Sequence, residues 1–214
     1  DPLLHHQDVR RDAVRIVAKS PPPGATLTPE QAEILSHMSI VDLPADGGYC
    51  VDPLYPENCP PITQHAKTIR ITGVNVQIVN GTGTTGQMNG LGNLIVGYQE
   101  DRQFDPNDFC GNDENYRTGS HNILVGSHHD YTSTANILVG ARHRSSAPNS
   151  CAVGSNHLLS GQDCFLGGGR DNEAGGRGAA LLGGWENGAC GDYLSVPDGG
   201  YGLKVGDCAM RCLE

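Results

Sequence analysis

A short aliphatic block closed by glycine recurs along the middle of the chain. The blocks are Asn93-Leu-Ile-Val-Gly97, Asn122-Ile-Leu-Val-Gly126, Asn136-Ile-Leu-Val-Gly140, Ser150-Cys-Ala-Val-Gly154, Cys164-Phe-Leu-Gly-Gly168 and Ala180-Leu-Leu-Gly-Gly184. Gly126, Gly140, Gly154 and Gly168 follow one another at 14 residues, and the next step is 16. The step from Gly97 to Gly126 is 29, close to two periods, and carries the polar stretch 101–118. Such a period suits a coil of two short strands and two turns. One coil cannot bury its own apolar face, so coils must stack into continuous parallel sheets. Glycine is 30 of 214 residues and aromatics only 5%, as expected where every coil needs sharp turns. Leucine-rich repeats, calcium-binding nonapeptide rolls and hexapeptide helices have other periods and do not fit.

The NILVG blocks, with GGGRDN at 167–172 and GGWEN at 183–187, resemble the YadA-type head of trimeric autotransporter adhesins. The run from Ile69 to Gly81, then NGLGNLIVGYQE and RTGSHNILVG, resembles secreted bacterial proteins with the same kind of β-roll. In those a short coiled coil leads into the roll. The resemblance spans roughly residues 28–187. It implies a mainly β fold, a left-handed parallel β-roll and a homotrimer around a shared axis.

The rest of the chain divides around the roll. Residues 1–26 read as an extended arm, with Val14, Ile16 and Val17 as apolar candidates for assembly ahead of three prolines. Thr28-Pro-Glu-Gln31 predicts a helix start with a capping box. A short helix over 27–42 would align Leu27, Ile34, Leu35, Met38 and Val41, a stripe suited to a trimeric bundle. Residues 43–81 read as a loop stapled by Cys50 and Cys59, then a strand from Ile69 to Val79 with Gly73 at an irregularity. The roll is expected over 82–190 and a C-terminal cap over 191–214. Asn80-Gly-Thr82 matches a glycosylation sequon but reads first as a turn.

Eight cysteines are compatible with four disulfides, which imply an oxidising, extracellular compartment. Cys50 with Cys59 and Cys208 with Cys212 are the natural local pairs. Cys110, Cys151, Cys164 and Cys190 are disulfide candidates without an assignable partner. The chain starts at Asp1 and not at methionine, which either a cleaved leader or a trimmed chain would explain. A net charge of −10 disfavours nucleic acid and anionic membrane as partners. No apolar run approaches the roughly 18 residues of a membrane span.

Little in the chain suggests catalysis, and no cofactor is expected. His129, His143 and His157 recur at 14 residues, each three places after a block glycine, with Asp171 in the same slot one coil on. Stacked imidazoles could ligate zinc, copper or nickel, or titrate together. The plainer reading is a turn residue that recurs because the turn recurs, so no metal is expected. Asp105, Asp108, Asp113 and Glu114 around Cys110 read as a solvated loop. The glycine clusters open no phosphate loop, and no serine sits in a nucleophile elbow. The expectation is therefore a secreted structural or adhesive protein, not an enzyme, that partners itself as a homotrimer and polymerises through its terminal segments. The alternative is the carbohydrate- or host-binding tip of a fibre, with surface glycans as partners. A trimeric acyltransferase fits the period least.

Overall fold

The structure, a computed structural model, describes residues 26–44, 65–102, 115–197 and 199–206. Val14, Ile16, Val17, Cys50, Cys59, Cys110, Cys208, Cys212 and the 105–114 carboxylates lie outside them. Two compact units divide at Val76 and Gln77.

In the first unit the helix α1 runs Pro29–Ser36. The Thr28 hydroxyl accepts from the Gln31 N–H at 3.2 Å, and the Gln31 side chain accepts from the Thr28 N–H at 2.9 Å. The capping box thus satisfies two of the donors that a helix start leaves open. The predicted helix over 27–42 is too long. His37 closes α1, and Met38–Pro44 form strand β1, antiparallel to strand β2, His65–Ile71. Met38 and Val41 therefore belong to a strand, where β-branched Ile40 and Val41 suit extended backbone and pair in register with Ile69 and Thr68. The expected strand through Val79 ends at Ile71, shortly before Gly73 takes a φ of +78°.

The second unit is a parallel β-solenoid of about six turns. Sheet I has seven strands: Leu94–Val96, Ile123–Ser127, Ile137–Ala141, Cys151–Ser155, Phe165–Leu166, Ala180–Leu181 and Ser195–Val196. Sheet II has six: Asp130–Tyr131, Arg144–Ser145, Leu158–Leu159, Glu173–Ala174, Gly188–Ala189 and Lys204–Val205. Successive side chains on a strand face opposite ways, so each strand of sheet I from Ile123 onward buries its second residue. Leu124, Leu138, Ala152, Leu166, Leu181 and Val196 form one buried column. It packs on Tyr131, Leu159, Ala174 and Ala189 from sheet II. Each buried leucine contributes about 2 kcal/mol of burial free energy.

The register is not uniform. Ile123, Ile137, Cys151 and Phe165 pair in succession at steps of 14. Phe165, Ala180 and Ser195 pair at steps of 15. The added residue enters within the run Gly167-Gly168-Gly169, because Leu166 still pairs with Ala152 while Ser155 bridges to Arg170.

Glycine closes the blocks for two reasons. Gly126, Gly140 and Gly154 have φ of +112°, +124° and +122°, a region L side chains rarely adopt. They also stack directly: a Cβ on Gly126 would collide with the Gly140 carbonyl oxygen, and one on Gly140 with that of Gly154.

Candidate functional site

The three recurring histidines form a buried column. His129, His143 and His157 are at most 1% exposed, and adjacent ring centroids lie 5.1 Å apart. Their nitrogens are all engaged by backbone. Each Nε2–H donates to the carbonyl four residues earlier, of Val125, Val139 and Val153, at 3.1, 2.9 and 3.0 Å. Each Nδ1 accepts the N–H of the next residue in the column, from His143, His157 and Asn172, at 3.3, 3.3 and 3.2 Å. A carbonyl can only accept and an N–H can only donate, so these contacts fix the neutral Nε2–H tautomer. No ring lone pair remains for a metal.

Asparagine continues the column. Asn172 accepts the Asn187 N–H at 2.9 Å, and Asn187 accepts the Leu203 N–H at 2.8 Å. Their side-chain amides donate to Gly168 and Gly183 carbonyls, again four residues back. The slot after His157 thus belongs to Asn172 and not Asp171. The added glycine shifts the coil by one residue, and Asp171 instead accepts from Asn156 at 2.7 Å.

Burial disfavours the charged imidazolium. Desolvation, reinforced by neighbouring His157, pushes the His143 pKa down to about 3. Desolvation pushes His157 down to about 4 and lowers His129 as well.

A second polar column runs at the other edge of sheet I. The Asn93 side chain accepts the Asn122 N–H, Asn122 that of Asn136, and Asn136 that of Ser150, at 2.8, 2.8 and 3.0 Å. The Ser150 hydroxyl then accepts the Cys164 N–H at 3.1 Å. The Cys164 thiol donates to the Gly176 carbonyl. Cys164 and Cys151 are free thiols, which corrects their assignment as disulfide candidates. Burial raises the pKa of both, so neither is an activated nucleophile. Cys190 is not free.

A buried charge cluster was not foreseen. Asp130 lies between Arg102 and Arg144, with carboxylate-to-Nε distances of 3.4 and 3.6 Å. Arg102 also donates to the His128 and Arg142 carbonyls, tying two coils together.

Two surfaces stand out. On the outer face of sheet I, Leu94, Ile123, Ile137, Cys151 and Phe165 form one row, and Val96, Val125, Val139 and Val153 a second. Neither row contains a charged residue, and Ile123, Ile137, Val153 and Phe165 are each about 40% exposed. At a corner of the solenoid the Trp185 indole N–H donates to Asp171 at 3.0 Å, with the Arg170 guanidinium over its ring and Tyr201 edge-on. In the first unit α1 buries no residue, and Ile34, Leu35 and Met38 are all exposed.

No family model, no curated protein and no solved structure matches this chain. Among the described residues no helix is long and apolar enough to cross a membrane.

Proposed function

We propose that the chain is an extracellular structural or adhesive module, a homotrimer that assembles further through its terminal segments, and not an enzyme. The observation that carries this reading is the uncharged outer face of sheet I. Two parallel rows of uncharged, mostly aliphatic side chains are partly exposed in a chain of net charge −10. Exposed apolar patches of this kind are covered by a partner. A second copy fits best, because like-charged chains repel least where neither presents a charge, and the rows of each copy share one register. The resemblance to trimeric adhesin heads favours three copies around the axis that the two rows would face.

The first unit supports the same reading. A helix of eight residues and a two-stranded ribbon are each marginal alone in water. Three copies of α1 would cover Ile34 and Leu35 mutually. The His and Asn columns act as scaffold, holding coil to coil.

Electron microscopy of the purified chain and of a variant lacking residues 1–26 tests this reading. Fibres from the full chain and short separate particles from the variant are expected. Dispersed particles from both, or fibres from both, would remove the arm as the linker.

A further inference from the structure

A cavity of about 400 Å³ opens at the first turn of the solenoid, lined by Gln77, Val79, Asn80, Thr84, Thr85 and His121 with Gly81 and Gly83. This falls within the usual range of small-molecule sites, about 300–1,000 Å³. We propose that it is a binding site for a short neutral saccharide, a role separate from the scaffold just described.

One wall is held rigidly. The Asn80 amide donates to the Gln87 carbonyl at 2.6 Å, and its oxygen accepts both the N–H and the hydroxyl of Thr82 at 3.0 and 2.8 Å. The Asn89 side chain donates to the Asn80 carbonyl at 3.0 Å. These bonds hold the Asn80 amide in place, so the sequon forms a structural turn. They also set the Gly81-Thr82-Gly83 loop, where both glycines take φ near +80° and a Cβ on either would meet nothing within 4 Å. The wall is thus fixed and leaves the cavity open.

Other polar groups that line the cavity are uncommitted. His121 is at φ +59°, and its Nδ1 is enclosed without a hydrogen-bond partner. With neither tautomer imposed, its Nε2 is able to donate or accept. The Gln77 amide and the Thr85 hydroxyl form no hydrogen bond among the described residues, and both border the cavity.

This chemistry selects the ligand. No charged side chain lines the cavity, so an ion entering would lose hydration without a counter-charge. An apolar ligand would leave the amide, hydroxyl and imidazole without partners. A ligand carrying many paired donors and acceptors and no charge satisfies both conditions. Hydroxyl groups on a saccharide ring do so, while Val79 offers the one apolar wall for the ring's C–H face.

The test is saturation-transfer difference NMR with titration calorimetry on the full chain. The probes are a panel of neutral mono- and disaccharides, with glucuronic acid and glucosamine as charged counterparts. Millimolar or tighter binding of at least one neutral saccharide is expected, with Gln77→Ala and His121→Asn each weakening it about tenfold. Asparagine tolerates the left-handed backbone at His121, and Gln77 is exposed, so both variants should keep the wild-type circular dichroism and melting curve. Thr85→Ala replaces either one that does not. No binding of any neutral saccharide, equal binding of the charged sugars, or binding unchanged in two folded variants would each overturn the proposal. None of these outcomes bears on whether the chain forms trimers.

Discussion

The backbone N–H of His143 donates to Nδ1 of His129 one coil away, at 3.3 Å, while the His129 Nε2–H is bound to the Val125 carbonyl. Each ring joins two coils through both nitrogens and must be neutral to do so. The column is a set of inter-coil fasteners that asparagine takes over at Asn172 and Asn187.

Acid should loosen the roll. The folded pKa values of His143 and His157, about 3 and about 4, lie below the ordinary value of 6.5, so the unfolded chain binds more protons between. The stability these rings confer is fully present above about pH 6.5 and is lost as pH falls towards 4. For His157 the loss is on the order of 3 kcal/mol. Urea unfolding followed by circular dichroism from pH 7 to pH 4 should show it. His143→Asn should flatten the slope, since asparagine makes the same two contacts without titrating. An unchanged slope would mean the rings are not held neutral.

Gly140→Ala should destabilise the solenoid by about 3 kcal/mol or more. The strained φ and the collision with the Gly154 carbonyl act together. Thermal melting compared with Gly183→Ala, where the added methyl meets nothing within 4 Å, separates this column from glycine loss in general.

Cys164→Ser should be nearly neutral, within about 1 kcal/mol, because Ser150 already fills the equivalent slot one coil earlier. Cys164→Val, which fills the space but offers no donor to the Gly176 carbonyl, should cost about 1–3 kcal/mol. Chemical denaturation under reducing conditions measures both.

The repeat and its buried column were legible in the sequence because both follow from local spacing. Leu124, Leu138 and Leu166 hold the same place in each block, and glycine closes the blocks, whereas the left-handed turns at Ala135, Asn149 and Asp163 carry no glycine to announce them. The slot after His157 was misread by one residue, since GGG at 167–169 does not reveal which glycine is the inserted one. The helix beyond His37 was overextended because Leu35, Met38 and Val41 fit a helical stripe. Pairing with residues 65–71, invisible to local periodicity, makes that segment a strand. The same holds for Arg102, whose contacts with His128 and Arg142 span 26 and 40 residues. Among the cysteines, Cys164 copies the position of Ser150, a hint that it serves as a polar column residue and not half of a bridge.

The proposal that sheet I faces further copies of the same chain is tested most directly by sedimentation equilibrium of the wild type beside Val139→Asp. Val139 lies in the middle of the second outer row, so the charge leaves the buried column untouched. A wild type at three times the chain mass or a higher multiple of three, and a folded, monomeric variant, is the predicted result. A wild type that stays monomeric at concentrations of about 100 μM, well above the micromolar dissociation constants of ordinary specific interfaces, would contradict it.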